Sequence, residues 1–356
     1  MPLARLTVLA TCGVALASGL KASTEAGVLA EPREGGADQI YFLHIPKVAG
    51  LSFGEDAVKV LQKSDMDVIS KEGCYSNIKD DPKMKAAAMM LRKPRGHLLS
   101  QYRFCSTGIM SKYRADVRPK SSPAMPDTYE GWIRAWKGLY DSGEWRKDMT
   151  PPADYVSKSP FEVVVRNMRM KAWEVPPFSP REGVKNLKKD WPKLDGGGTL
   201  WHHVRVPYQC YVPINPQSYR LSCDRESPMD MSKGVDSELA VQNMRKAWFV
   251  GIVEEYQVSF CLLEAKASKA LPSYCDCTKP KEWAKFPGTK TNIWRYKEQA
   301  KPTPQLLEVV DELTAGDRRL YRAGLQKFLE DVRAAEKELG AKMLCKDDAA
   351  VLAYGQ

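Results

Sequence analysis

Residues 41–53 read Tyr-Phe-Leu-His-Ile-Pro-Lys-Val-Ala-Gly-Leu-Ser-Phe, and this stretch decides the fold. The apolar run Ile40–Ile45 has the length of a buried strand and is closed by Pro46. After a turn that contains a glycine, residues 53–62 carry apolar side chains at helical spacing. The stretch therefore predicts a strand, a loop and a helix, which is the layout of a phosphate-binding βα unit.

The loop of this unit carries side chains suited to an anion site. A loop that enters a helix exposes N–H groups at the positive end of the helix dipole, which favours a bound phosphate or sulfate. Lys47 supplies a positive charge, Gly50 lets the backbone approach the ligand, and Ser52 adds a hydroxyl donor. The lysine precedes the glycine, unlike in the ATP-type Gly-x-x-x-x-Gly-Lys-Ser/Thr loop, so a nucleotide-dependent kinase is disfavoured.

Two further units repeat this alternation. The apolar run Ala86–Leu91 ends at Arg92, and a helix with Ser100 in its first turns follows. A third apolar run, Trp248–Val253, ends at Glu254 and also leads into a helix. Strands separated by helices predict an α/β fold with a mostly parallel central sheet flanked by helices. The carboxyl ends of these strands are expected at one edge of the sheet, where ligands bind.

The first unit resembles the donor loop of PAPS-dependent carbohydrate sulfotransferases, especially the group related to heparan sulfate 2-O-sulfotransferase, where it reads roughly Ile-Pro-Lys-Thr-Gly-Gly-Thr-Ser. PAPS is 3′-phosphoadenosine 5′-phosphosulfate. The resemblance implies a P-loop nucleotide-hydrolase-like sulfotransferase fold in which this loop holds the 5′-phosphosulfate. The donor-binding residues implied are Lys47, Val48, Ala49, Gly50, Leu51 and Ser52. Val48, Ala49 and Leu51 stand where the family has Thr, Gly and Thr.

The second unit resembles the family's Arg-Asp-Pro-x-x-Arg-x-x-Ser-x-Tyr stretch, which binds the 3′-phosphate of the donor. The resemblance assigns this role to Arg92 and Ser100, which are eight positions apart as in the family. An arginine at a strand end can present two N–H groups to a phosphate. Lys93 replaces the family's aspartate, and Lys290 falls where related enzymes place a late donor-contacting loop.

Two later segments extend the resemblance across most of residues 40–335. The strand Trp248–Val253 followed by Glu254 looks like the family's Val-Gly-x-x-Glu segment, and the stretch Asp317–Phe328 resembles its last helix. These similarities imply one sulfotransferase domain over residues 39–342.

The catalytic residues are expected around the same loop. Lys47 is placed to stabilise the charge that develops on the leaving phosphate oxygen. In the related 2-O-sulfotransferases a histidine between the two donor motifs is the general base, and this chain has no histidine between Ser52 and Arg92. Glu72 is the best-placed replacement, and His97, inside the second motif, is the other candidate or else an ordinary helix residue.

A stripe of aromatic residues lies between the second and third units. Asp127 and Glu130 form a plausible capping box for a helix that carries Trp132, Trp136 and Tyr140 at four-residue spacing. Helical spacing of this kind favours core packing over a sugar-binding platform.

The N-terminus indicates the compartment. Arg5 precedes the apolar stretch Leu6–Leu20, which is short for a membrane span of about 20 residues, so a cleaved signal over residues 1–22 is favoured over a membrane anchor. A linker at residues 23–38 and a C-terminal tail at residues 343–356 complete the division of the chain.

The cysteines agree with a secretory compartment. Loss of Cys12 with the signal leaves an even set of eight, which predicts disulfides. Cys275 and Cys277 are too close to bridge each other comfortably, so each is expected to pair elsewhere, and a zinc site there is disfavoured.

The charge balance indicates the kind of partner. A formal net charge of +10 without a run of five or six like charges favours anionic small molecules or glycans over nucleic acid. The function expected is transfer of a sulfuryl group from PAPS to a hydroxyl of an acidic carbohydrate in the Golgi lumen, leaving PAP, without a metal. The alternative is an inactive protein of the same fold that binds a glycan or nucleotide.

Overall fold

The structure is a computed structural model, and it describes residues 7–9, 38–61, 64, 66–71, 74–76, 86–106, 125–145, 211–223, 234–288 and 301–356. The sheet, the helices and the contacts between them lie within these ranges.

A parallel sheet forms the centre of the molecule. Its five strands are β1 (Thr7–Leu9), β2 (Asp38–Leu43), β3 (Met66–Lys71), β4 (Ala86–Leu91) and β5 (Phe249–Ile252). Their order across the sheet is β1-β3-β2-β4-β5, and every neighbouring pair is parallel. The predicted α/β class with a mostly parallel sheet is confirmed. β4 and β5 are continuous apolar runs because helices cover both faces of such a sheet.

Ten α-helices lie around the sheet in the described ranges. They are α1 (Gly50–Leu61), α2 (Pro94–Ser106), α3 (Tyr129–Ser142), α4 (Pro216–Ser222), α5 (Ser237–Lys246), α6 (Tyr256–Ser268), α7 (Pro280–Trp283), α8 (Pro304–Leu313), α9 (Ala315–Leu339) and α10 (Asp348–Leu352). Short 3₁₀ turns occupy Val253–Glu255, Ser273–Cys275 and Ala353–Gly355.

The main core is built on the sheet, and a second core lies between α2, α3 and α8. Trp132 and Trp136 are fully buried in the second core, which confirms core packing for these two residues of the aromatic stripe, whereas Tyr140 is exposed. The predicted capping box is wrong, since the N-cap of α3 is Thr128, whose hydroxyl accepts the N–H of Gly131. Glu130 pairs instead with Arg134, one helical turn along.

The C-terminal residues are part of the folded body. α8 and α9 are separate helices because the chain turns at Thr314, whose hydroxyl donates to the carbonyl of Val310. Residues 343–356 were expected to form a tail, but Leu344 and Val351 are buried, and Arg322 donates to the carbonyl of Gly355. This segment therefore closes one side of the core.

Disulfides join distant parts of the chain. The bonds described are Cys74–Cys223, Cys261–Cys275 and Cys277–Cys345, and Cys105 is also disulfide-bonded. The prediction that Cys275 and Cys277 pair elsewhere is confirmed. Bonds of this number are typical of proteins from an oxidising, secretory-type compartment.

The N-terminal segment appears in the structure through one strand. Thr7–Leu9 pairs with Ile69–Lys71 at the edge of the sheet. A signal that is cleaved cannot remain in the sheet, so this pairing and the predicted cleavage exclude each other. In the described part of the chain, no helix has both the length and the apolar character needed to cross a bilayer.

Candidate anion-binding site

Two strand-to-helix junctions lie side by side at the carboxyl edge of the sheet. β2 and β4 are adjacent, with Leu43 opposite Met89, so the loops that follow them leave the same edge. The guanidinium Nη1 of Arg92 donates to the carbonyl of Lys47 at 3.1 Å, which joins the two loops directly. From β2 the chain first goes to β3 on one side and then to β4 on the other. The crevice between these loops is therefore a topological switch point, the usual ligand position in open α/β sheets.

The loop after β2 has an unusual backbone conformation. Lys47 and Ala49 have positive φ angles of 68° and 62°, and Val48 between them does not. Left-handed residues in a turn can direct nearby N–H groups toward one side of the chain, and such turns form typical concavities for anions. Left-handed backbone costs a non-glycine residue about 1–2 kcal/mol, so other contacts must hold this loop.

The side chains of the loop point in different directions. Val48 is fully buried in the main core, and its N–H donates to the carbonyl of Ile45 at 3.4 Å, so little of this residue is left for a ligand. Lys47 is half-buried, and its Nζ lies 4.1 Å from the centre of the Phe104 ring on α2. This cation–π contact keeps the ammonium group near α2, the helix that follows Arg92 and carries Ser100.

His97, in the first turn of α2, contacts the same loop. Its Nε2 lies 2.7 Å from the carbonyl oxygen of Pro46, and the side chain is fully buried in the first turn of α2. Because a carbonyl oxygen only accepts, Nε2 of His97 carries the proton and donates to Pro46. The amide nitrogen of Gln101, 3.3 Å away, therefore cannot donate to the same ring nitrogen. Burial, opposed by the Pro46 bond and aided by the charges of Arg92 and Lys47, lowers the pKa of His97 to about 3. The imidazole is therefore neutral.

The backbone of Arg92 is held by a single side chain. Gln217, at the start of α4, accepts the N–H of Arg92 at 2.9 Å and donates to its carbonyl at 2.8 Å. These two hydrogen bonds are like those that a neighbouring strand would make with the backbone of Arg92. They therefore extend the strand geometry of β4 by one residue. Gln217 is almost completely buried, which makes the geometry well defined.

A buried carboxylate holds α4 in place. Asp317 accepts the N–H groups of Gln217 at 3.1 Å and Ser218 at 2.7 Å, and its own N–H donates to the side chain of Asn215. Desolvation raises the pKa of Asp317 to about 6, although the hydrogen bonds from Ser218 and Gln217 act in the opposite direction. Asp317 thus fixes the helix end from which Gln217 reaches Arg92.

The residue after Arg92 has its own partner. Glu254, just past β5, accepts the N–H of Lys93 at 3.0 Å and the hydroxyl of Tyr321 at 2.8 Å. Burial and the Glu254 carboxylate raise the pKa of the Tyr321 phenol, which keeps this group protonated as a donor. The second junction is consequently fixed on both sides by residues from later strands and helices.

The electrostatics favour an anion. α1 and α2 both begin at the crevice, and neither has an acidic residue in its first turn. Their positive dipole ends add to the charges of Lys47 and Arg92. Arg95, one turn further, is already engaged in a two-point ion pair with Asp311 at 2.8 and 2.5 Å. The two cationic side chains and the two helix N-termini therefore lie together between the two loops.

The structure brings together several of the residues expected from the sequence. Lys47, Ala49, Arg92 and His97 surround the crevice, with Ser100 half-buried one turn beyond His97. The backbone of Gly50 and Leu51 and the half-buried Ser52 form the first turn of α1. Glu72 and Lys290 lie outside the described residues.

Two contributors were missed by sequence reasoning. Gln217 binds Arg92 across 125 positions, and Phe104 receives Lys47. The only local signal for Gln217 was its place after an Asn-Pro pair that starts a helix.

Comparison of the chain with protein-family models, curated protein sequences and solved structures found no match. Among the residues that the structure describes, no group of three or more His, Cys, Asp and Glu side chains is arranged to hold a metal ion.

Proposed function

We propose that the chain is a sulfotransferase of the P-loop-type fold that moves a sulfuryl group from PAPS to a carbohydrate hydroxyl. The observation that carries the proposal is the 3.1 Å bond between Arg92 and the Lys47 carbonyl. It supports a single crevice with one cationic loop for each phosphorylated end of the nucleotide. The sequence resemblance to the sulfotransferase donor motifs supplies the choice of nucleotide.

The chemistry proposed is an in-line displacement. The acceptor oxygen attacks sulfur, the bond from sulfur to the 5′-phosphate oxygen breaks, and its electron pair stays on that oxygen. Lys47 and the N–H groups at the start of α1 stabilise this developing charge, while Arg92 and Ser100 bind the 3′-phosphate. Loss of one such stabilising charge costs about 100-fold or more in rate.

The acceptor proton must go to a general base. Glu72 remains the proposed base, because His97 is fully buried and its Nε2–H is already bound to Pro46. The net charge of +10 supports an acidic glycan as the acceptor. The disulfides support a luminal or secreted location.

Nucleotide titration tests the donor site. PAP carries a 3′-phosphate that 5′-AMP lacks, so calorimetry with both ligands isolates the contribution of the second junction. We expect Arg92→Ala to remove the preference for PAP. The matched control is Lys93→Ala, which removes the neighbouring charge from a side chain that lines a shallow pocket with Arg95 and Tyr321. An unchanged preference in the Arg92 variant would contradict the assignment.

A catalytically inactive nucleotide-binding protein is the second candidate. The burial of His97 favours it, since the only histidine of the second motif is closed off from an acceptor. Transfer of radiolabelled sulfate from PAPS to a panel of acidic glycans separates the two. PAP binding without transfer supports the inactive protein, whereas transfer that falls by about 100-fold in Lys47→Ala supports the enzyme.

A further inference from the structure

Two consecutive carbonyl groups of the strained loop are bound by side chains from one neighbouring segment. Arg92 donates to the carbonyl of Lys47, and His97 donates to the carbonyl of Pro46. Lys47, the first left-handed residue, follows the Pro46 carbonyl directly, and the second, Ala49, lies two residues later. The two donors therefore act where the backbone enters its unfavourable conformation.

Of these two donors, His97 is the one that has no other task in the crevice. It is fully buried, and its Nδ1 has no hydrogen-bond partner. The charged groups that lower its pKa are Arg92 on its own segment and Lys47 on the loop. A neutral, enclosed imidazole with its one proton directed to a backbone oxygen is suited to holding that oxygen, and unsuited to exchanging a proton with a ligand.

We propose that His97 is a positioning residue, whose Nε2–H holds the Pro46 carbonyl and so keeps the Lys47–Gly50 backbone in the anion-binding conformation. The role as a donor-site element depends on the proposed function, while the holding of the loop does not. The imidazole itself takes no proton from the acceptor. A buried carbonyl that lost this donor would turn toward another partner, and the peptide groups of Lys47 and Val48 would turn with it.

The Pro46 carbonyl thus requires an N–H donor at one position. A side chain other than histidine can also place a donor there. The amide nitrogen of glutamine lies about as far from Cα as Nε2 of histidine, whereas that of asparagine corresponds to Nδ1. His97→Gln keeps the donor in place, His97→Asn keeps a polar group but misplaces it, and His97→Leu removes it.

The test compares these three variants in the full chain. Amide hydrogen exchange over residues 47–53 without ligand reports on the loop, and calorimetry with PAP reports on the site. We expect His97→Leu and His97→Asn to exchange the loop amides about 10-fold faster and to bind PAP about 10-fold more weakly. His97→Gln is expected to stay within about 3-fold of wild type in both measurements. If His97→Leu does not fold, His97→Asn replaces it in the comparison.

Three results would overturn the inference. They are loop exchange in His97→Leu equal to wild type, exchange in His97→Gln as fast as in His97→Leu, and a His97→Gln protein that binds PAP normally but has lost a transfer activity present in wild type. If wild type itself does not bind PAP, the proposed function fails, and the exchange data alone decide whether His97 holds the loop.

Discussion

Replacement of Gln217 by methionine tests whether the anion site depends on the backbone of Arg92. The substitution keeps the length of the side chain but removes both hydrogen bonds, at 2.9 and 2.8 Å, from a residue that is 1% exposed. An unpaired N–H and an unpaired carbonyl cost about 1–3 kcal/mol each when buried. Because Arg92 is only half-buried, we expect a loss of about 2–4 kcal/mol in the free energy of unfolding.

The chain offers a matched control for this experiment. Gln257 donates to the carbonyls of Tyr274 and Trp283 at 3.1 and 2.9 Å, and both carbonyls lie in segments outside the two loops of the crevice. We therefore expect Gln257→Met also to lower the free energy of unfolding, measured by urea denaturation, while the junction at Arg92 stays intact. Calorimetry should show PAP binding weakened about 10-fold or more in Gln217→Met and unchanged in Gln257→Met. Equal PAP affinity in the two variants would refute the link between Gln217 and the site.

Three further outcomes follow from the geometry of the loop and its supports. Ala49→Gly should stabilise the protein by about 1 kcal/mol, because φ is 62° there, and Ala49→Val should destabilise it; thermal unfolding measures both. Burial lowers the pKa of His97 from 6.5 to about 3, so the unfolded chain takes up this proton first as the pH falls. Wild type should therefore lose about 1.4 kcal/mol per pH unit between pH 6.5 and about 3. His97→Gln should lack this part of the slope, and parallel curves would contradict it. Cys74 and Cys223 are 149 positions apart, so replacing both by alanine should lower the free energy of unfolding by about 5 kcal/mol, measured by urea denaturation. A loss below 1 kcal/mol would show that the disulfide constrains the unfolded chain little.

Much of the sheet was predictable because its strands are apolar runs with clear ends. Ala86–Leu91 was predicted to the residue, since charged residues and a proline follow it. The strand at 40–45 was shifted by two residues, because Ile45 continues the apolar run after pairing ends at Leu43. Met66–Lys71 was missed, as its Met-Asp-Val-Ile-Ser-Lys sequence has too few apolar residues to stand out.

The site was predictable only where the information is local. A lysine and an arginine after two strands indicated one crevice, and Arg92 does contact the Lys47 loop. The support by Gln217 was not predictable, because a hydrogen bond across 125 positions leaves no periodic pattern in the sequence. The burial of His97 was not predictable for a similar reason, because it depends on packing from other elements.

The connection of Arg92 and Lys93 to Gln217 and Glu254 has a consequence for biosynthesis. Arg92 and Lys93 emerge from the ribosome first. Gln217, which binds Arg92, lies 125 positions later, and Glu254, which binds Lys93, lies 161 positions later. A nascent chain that has exposed only its first two strand-to-helix units contains Lys47 and Arg92 without the residues that fix the second junction. The geometry of these two junction residues is therefore completed late, after most of the polypeptide has been synthesised.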